Sequence, residues 1–287
     1  MREDEILESL RTASQRLEPQ EAAAFWQKLG TVGEMDRSAL RHFLGDAVPG
    51  GKCVIGAALV ISCYVPDASD GPPSDGDETQ VRLCEREADL VAQAFRDATG
   101  KKAITGFQPT RDEFLTLIEE WIEQVKEAID SDNEFKDFLF YYAGTGCELE
   151  DRAFRFIPTG CKLKRLDDYV PLANIIARIE GEGISGCNVI FGIDACRNHP
   201  EGIVASAHVV EPPHNTLYEK LFSTPPGEFA VHCLLDVSPF ARKMAESIPR
   251  MTDSSQIDSI LKEAFDGVEI HSIWLTPPFS VPSPFPW

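Results

Sequence analysis

The sequence predicts an α/β protein whose main domain is a three-layer α/β/α sandwich built on a mainly parallel, six-stranded sheet. Two observations predict this fold. Runs of consecutive apolar residues recur along the chain, which is typical of strands that are buried on both faces. Amphipathic segments with a helical period separate these runs, and strands that alternate with helices form parallel sheets covered on both faces.

Six apolar runs are assigned to strands. In chain order they are residues 52–65, residues 102–107, the run that begins at Phe138, the run that begins at Asn188, residues 228–235 and residues 268–275. A hairpin partner is expected at residues 154–158, shortly after a Gly-Thr-Gly turn.

Helices are expected between the strands, and two of them have clear signals at their first residues. Thr110 precedes a long amphipathic helix, and Glu113 stands three residues later, which matches a capping box. Ser238 precedes another helix with Pro239 at its first position, where a missing N–H is tolerated. The predicted helices cover residues 81–98, 110–129, 172–179, the segment after Ser238 and residues 254–265, with a further short helix at 216–222.

The chain is expected to have one main domain with two appended segments. Residues 1–50 are predicted to be a helical N-terminal extension, residues 51–275 the domain, and residues 276–287 an extended, Pro-rich tail. Two loops interrupt the domain. Residues 66–80 are rich in Asp, Gly, Ser and Pro with almost no apolar anchor, and residues 198–227 contain five prolines.

Composition limits the kinds of partner. The 287 residues carry a formal net charge of -20, which argues against nucleic acid and against an anionic membrane, and which suits basic peptides or protein segments. No secretory signal is recognised at the N-terminus, and no apolar run approaches the roughly 20 residues of a membrane span. The eight cysteines include no Cys-x-x-Cys pair, which favours reduced thiols and a cytoplasmic protein.

Two strand ends carry the residue types that can do chemistry. Residues 188–197 read Asn-Val-Ile-Phe-Gly-Ile-Asp-Ala-Cys-Arg, and residues 138–147 read Phe-Leu-Phe-Tyr-Tyr-Ala-Gly-Thr-Gly-Cys. Ligands of open α/β sheets bind beyond the carboxyl ends of the strands, so Cys196 lies where chemistry is expected. The alternative is a structural thiol, because unpaired cysteine is among the most buried residue types.

Together the two strand ends resemble the caspase, metacaspase and paracaspase superfamily of cysteine peptidases. In that family one core strand ends in a small residue followed by Gly-His-Gly, and the next core strand ends in Asp-x-Cys. Here Asp194-Ala195-Cys196 fits the second pattern, and Thr145, 51 residues before Cys196, stands at the position of the family histidine. The resemblance covers residues 52–275 and implies the caspase-like sandwich, with the loop 198–227 between the large-subunit and small-subunit parts.

The resemblance also implies roles for individual residues. Cys196 would be the nucleophile, and the backbone N–H groups of Cys196 and Gly146 would form the oxyanion hole. Metacaspases and paracaspases cleave after Arg or Lys, and their acidic pocket residues match Asp194 and, through a Leu-x5-Asp spacing from Leu83, Asp89. Each match has a plainer alternative: a turn glycine, a turn aspartate and an aspartate on a solvated helix face.

The threonine decides between the possible functions. A threonine hydroxyl neither holds a proton near neutral pH nor delivers one as an imidazolium does. The main hypothesis is therefore a weak or inactive peptidase homologue with a binding or regulatory role, whose partner is a basic peptide, a second copy of the chain or a catalytically complete relative.

Two other functions stay open on the sequence. One is an active endopeptidase that cleaves after Arg or Lys with a substitute base, for which His199, His208 and His214 are candidates. The other is an unrelated α/β binding domain with structural thiols. No cofactor is expected, and no metal site either, because Cys196 and His199 supply only two of the ligands that zinc requires.

Overall fold

The computed structural model describes residues 52–65, 75–131, 137–149, 153–161, 166–184, 186–197, 216–224, 226 and 237–265. By its internal contacts the chain divides into two units, Met1–Gly50 and Gly51–Trp287. The predicted helical extension, the Pro-rich tail and most of the loop 198–227 lie outside the described residues, so the predictions for them stay predictions.

The described residues form a large parallel sheet and a small antiparallel one. The strands in chain order are β1 (Ile55–Cys63), β2 (Ile104–Phe107), β3 (Asp137–Gly144), β4 (Gly146–Glu148), β5 (Phe154–Phe156), β6 (Val170–Pro171), β7 (Asn188–Ala195) and β8 (Leu217–Phe222). The large sheet has the order β2-β1-β3-β7-β8, and all four of its strand pairs are parallel. The small sheet has the order β4-β5-β6, and it includes the predicted hairpin.

Helices cover both faces of the large sheet, which confirms the predicted sandwich. The helices are α1 (Asp75–Thr99), α2 (Arg111–Ser131), α3 (Leu172–Gly181), α4 (Pro239–Ser247) and α5 (Ile257–Ala264). Apolar residues of α2 and α3 belong to the core on one face, and those of α1, α4 and α5 to the core on the other. Because every residue of β1 and β3 is buried, these strands are apolar on both faces, as strands between two helical layers must be.

The capping signals of the sequence are confirmed by the hydrogen bonds at two helix starts. The Thr110 amide donates to Glu113 Oε2 at 2.8 Å, and the Glu113 amide donates back to Thr110 Oγ1 at 3.5 Å, which is the reciprocal pattern of a capping box. At α4 the Ala241 amide donates to Ser238 Oγ at 3.0 Å, and Pro239 occupies the first helical position. Each cap satisfies an amide that the helix itself leaves unpaired.

Two sequence predictions need correction, and the predicted number of strands is tested only in part. The short helix predicted at residues 216–222 is wrong, because this segment forms β8 and pairs with β7. Pairing with a neighbouring strand outweighs the weak helical period of so short a segment. The predicted loop 66–80 ends earlier than expected, since α1 begins at Asp75 with polar turns that hold no apolar marker. The large sheet has five strands in the described part of the chain, and the fifth and sixth predicted strands, at 228–235 and 268–275, lie outside it.

Candidate active site

The backbone register of the sheet brings the two motif ends together. β3 and β7 are parallel neighbours, with Ala143 opposite Asp194 and Gly144 opposite Ala195. The residues that follow are Thr145 and Cys196, so both leave the sheet at its carboxyl-terminal edge, on strands about 4.8 Å apart. The two positions that the family resemblance pairs are therefore neighbours in space.

Gly146 lies against the backbone of Cys196, in a space that only glycine fits. A Cβ atom at this position would lie 2.4 Å from the Phe154 ring and 3.2 Å from the Cys196 carbonyl oxygen. Two backbone segments this close are what an oxyanion hole made of N–H groups from both residues requires. The packing therefore accounts for the glycine without any appeal to a flexible turn.

The Thr145 side chain is held on the β1 side of β3, whereas Cys196 lies on the β7 side. Its hydroxyl accepts a hydrogen bond from the Val65 amide at 2.8 Å and donates one to the Val65 carbonyl oxygen at 3.1 Å. Its own amide donates to the Cys63 carbonyl oxygen at 2.8 Å. Thr145 thus extends the pairing of β1 and β3 by one residue. Its side-chain hydroxyl forms the two hydrogen bonds to Val65 that a backbone amide and carbonyl would form in a longer strand.

Cys196 is partly exposed, and the residue after it is fastened to two other strands. The Arg197 Nε donates to Glu148 Oε2 at 2.8 Å, and its Nη1 donates to the Thr224 carbonyl oxygen at 3.3 Å. The guanidinium also stands 4.1 Å from the centre of the Phe222 ring. Arg197 and Glu148 are both almost fully buried, so this ion pair ties the end of β7 to β4 and β8 immediately beside the thiol.

Asp194 faces away from solvent and shares a serine with a second acid. The exposed fractions of Glu87, Asp194 and Ser238 are 0%, 2% and 3%. Ser238 donates its hydroxyl to Asp194 Oδ2, and its amide donates to Glu87 Oε1 at 2.8 Å. The charges of Glu87, Asp194 and Cys196 all act on the Cys84 thiol, so the acid pair and Cys196 lie in one neighbourhood.

The other acid predicted for the pocket, Asp89, is not part of this cluster. Asp89 is exposed on α1, whereas Glu87 is buried two residues earlier, about 200° around the helix. The sequence did contain a signal for Glu87. The buried positions of α1 follow a helical period, and they are Leu83, Cys84, Glu87, Ala88, Val91 and Phe95. Glu87 is a carboxylate on the apolar face of a helix, which is unusual. The prediction of Asp89 relied on its spacing from Leu83 and did not consider this feature.

Thiols near this edge of the sheet have raised pKa values. Burial raises the pKa of Cys63 to about 11, against smaller opposing effects from the Thr159 hydroxyl. The pKa of Cys84 is raised well above its ordinary value by burial, with further increases from the carboxylates of Glu87 and Asp194. These buried thiols are therefore protonated at neutral pH and are poor nucleophiles.

A doubly covered parallel sheet with a partly exposed cysteine at its carboxyl edge, next to a tightly packed glycine, defines an α/β protein with the architecture of a cysteine peptidase. The family comparison agrees: a model described as a caspase domain matches residues 55–274, more than half of the chain. The chain therefore belongs to the caspase-domain family, a family of cysteine peptidases. No curated protein matches the chain significantly.

Some of the predicted residues lie outside the described residues, among them the candidate bases His199, His208 and His214. Across the described ranges, no group of three or more His, Cys, Asp or Glu side chains is arranged to hold a metal ion. Within the same ranges, no helix combines the length and the apolarity that a membrane crossing requires.

Proposed function

We propose that this caspase-family protein is a pseudopeptidase, which binds basic peptide segments at the carboxyl edge of its sheet and cleaves them weakly or not at all. The observation that carries the proposal is the bonding of Thr145 at the position of the family histidine. Its hydroxyl already donates to one backbone atom and accepts from another, both of Val65. A hydroxyl engaged in this way has no proton to shuttle for Cys196.

The chemistry of peptide cleavage explains why this position matters. A cysteine attacks as a thiolate, and a nearby cation or general base is what lowers its pKa or removes its proton. The leaving amine must then receive a proton, which an imidazolium supplies and a threonine does not. The nearby side chains of Asp194 and Glu87 are acids and supply no such cation.

The acid pair supports a preference for basic segments. We place Glu87 where the sequence had suggested Asp89, so that Glu87 and Asp194 form the acidic pocket for an Arg or Lys side chain. Guanidinium groups bind carboxylates through paired, charge-assisted hydrogen bonds, and two carboxylates beside the nucleophile give such a pocket its selectivity. The net charge of -20 favours the approach of basic partners in general.

A comparison of thiol labelling in three proteins tests the proposal. Cys196 in the wild type should react slowly with iodoacetamide at neutral pH. Thr145→His should increase the Cys196 labelling rate, because an imidazole can stabilise the thiolate. Thr145→Val, which also loses the bonds to Val65 but adds no base, is the matched control and should label as slowly as the wild type. Fast labelling of wild-type Cys196 with a pH profile of a low-pKa thiol would contradict the proposal.

A binding role also needs a partner. A dimer with a second copy of the chain and a complex with a catalytically complete relative both remain predictions. Each is checked by measuring the molecular mass of the purified protein, alone and mixed with such a relative. A basic peptide that competes with the complex would connect the partner to the acidic pocket.

A further inference from the structure

We propose that Ser238 is a latch that occupies the acid pair Glu87–Asp194 when no ligand is bound, and that a basic side chain must displace it. This proposal rests on the proposed function, and it adds a mechanism for regulating the same pocket. Ser238 is the N-cap residue that precedes α4, so occupation of the pocket is coupled to the start of that helix.

Ser238 forms hydrogen bonds both to the two acids and to the first turn of α4. Its two donors go to two different carboxylates, the amide to Glu87 Oε1 at 2.8 Å and the hydroxyl to Asp194 Oδ2. Its hydroxyl oxygen also accepts from the Ala241 amide at 3.0 Å, which is the bond that caps α4. The cap requires only this last bond. The two bonds to acids from α1 and β7 are additional, and they hold α4 against the pocket.

Both acids of the pair are almost completely buried. At 0% and 2% exposure, Glu87 and Asp194 offer no open surface to a guanidinium, so a ligand has to displace a group that now contacts them, and Ser238 contacts both. Hydrogen bonds from a neutral serine stabilise a buried carboxylate less than charge-assisted bonds from a cation do. A guanidinium has five N–H donors in a planar fork and can replace both bonds of Ser238 at once.

A buried hydroxyl in the same cluster, that of Tyr141, could also bond to a ligand. The Tyr141 hydroxyl is fully buried and has no hydrogen-bond partner among the described residues. Its pKa is raised mainly by burial and then by the carboxylates of Asp194 and Glu87, which places the hydroxyl close to both. A buried hydroxyl without a partner is costly. A cationic head group between the two acids would bring a polar atom to this hydroxyl too.

The latch predicts that removal of the Ser238 hydroxyl improves binding. In a Cys196→Ala background, which keeps the peptide intact, affinity is measured by calorimetry for an acetylated, amidated peptide with one Arg. Its counterpart with citrulline in place of Arg is the control ligand. Ser238→Ala should bind the Arg peptide about tenfold more tightly than the parent, because the ligand no longer displaces a hydrogen bond to a charged group. Glu87→Gln should abolish the preference for Arg over citrulline.

Two further variants keep the test valid if loss of the cap disturbs α4. Ser238→Gly also lacks the hydroxyl, and glycine is well tolerated at the cap position, so it should bind as tightly as Ser238→Ala. Thr110→Ala removes a similar cap from α2, far from the acids, and should leave peptide affinity unchanged. In the parent, the Arg peptide should speed hydrogen exchange of the Ala241 amide, whose acceptor the ligand displaces.

The outcomes separate this proposal from the proposed function. If the parent prefers the Arg peptide but Ser238→Ala and Ser238→Gly bind it no better, the latch is wrong and the basic pocket stands. The same holds if the Ala241 amide keeps its protection when the peptide binds. If no folded variant prefers Arg over citrulline, the acidic pocket and its latch are both wrong.

Discussion

The hydroxyl of Thr145 bonds to both backbone polar groups of Val65, accepting from the amide at 2.8 Å and donating to the carbonyl oxygen at 3.1 Å. Thr145 is therefore a structural link between β3 and the end of β1. The first prediction concerns the stability that this link contributes.

Replacement of Thr145 by Val should lower the free energy of unfolding by about 1–3 kcal/mol, because the Val65 amide and carbonyl lose their partner at a half-buried place. Urea unfolding of the two proteins measures the difference. Thr116→Val on α2 is the matched control, since its hydroxyl bonds only to the Asp112 carbonyl oxygen on an exposed face, and it should change stability by no more than about 0.5 kcal/mol. Equal effects of the two substitutions would show that the link to Val65 stabilises nothing.

The buried ion pair beside Cys196 leads to the second prediction. Arg197→Met should cost about 3–5 kcal/mol, because it removes one partner of a buried ion pair. Arg197→Met combined with Glu148→Leu should recover most of this loss, since an apolar pair of similar volume carries no desolvation penalty. The exposed pair of Arg250 and Glu263 supplies the control, and Arg250→Met should cost less than about 1 kcal/mol. A double variant as unstable as the single one would refute the ion-pair explanation.

A third prediction concerns pH. Burial, followed by the charges of Asp258 and Asp137, raises the pKa of Glu219 on β8 from 4.5 to about 7. The folded state therefore holds this proton more tightly than the unfolded state does. The stability that the proton contributes is complete below pH 4.5 and is lost as the pH rises to about 7.

Glu219→Gln removes this contribution. Relative to the variant, the wild type should lose on the order of 2 kcal/mol of unfolding free energy as the pH rises from 4.5 through about 7. Thermal melts of both proteins across this range measure the difference. Glu120→Gln on the exposed face of α2 is the control and should follow the wild-type profile. Parallel profiles for wild type and Glu219→Gln would show that Glu219 titrates as an ordinary carboxyl.

The fourth prediction separates the two candidate acids of α1. Glu87→Gln should weaken binding of the single-Arg peptide by about tenfold or more, because it removes one of the two buried acids of the proposed pocket. Asp89→Asn, two residues away on the exposed side of the same helix, should leave affinity unchanged. Calorimetry in the Cys196→Ala background measures both. The reverse order of effects would restore Asp89 as the pocket residue.

Much of the architecture could be predicted from local sequence patterns. The apolar runs of β1, β3 and β7 and the caps at Thr110 and Ser238 are properties of a few consecutive residues, and the structure confirms them. The neighbourhood of Thr145 and Cys196 followed from the rule that parallel strands end at the same edge. In each case the signal is either local or carried by a general rule of parallel sheets.

The remainder depends on contacts between distant parts of the chain. The segment of β8 has a period that suits a short helix, and only its pairing with β7 makes it a strand. The links from Thr145 to Val65 and from Ser238 to Glu87 join residues 80 and 151 positions apart, so no spacing rule could reveal them. Glu87 could have been recognised from its place on the apolar face of α1. The Leu-x5-Asp spacing that pointed to Asp89 was a weaker signal than this helical period.

The most direct test of the central claim is the turnover of fluorogenic peptides that end in Arg or Lys by the wild-type protein, compared with Cys196→Ala at equal concentration. We predict that the two rates are the same within error, or that the wild type exceeds the variant only marginally, because a threonine hydroxyl at position 145 does not take up and return a proton as an imidazole does. Robust turnover by the wild type that disappears in Cys196→Ala would contradict the pseudopeptidase. It would show that another base serves this site, with His199, His208 and His214 as the residues to replace next.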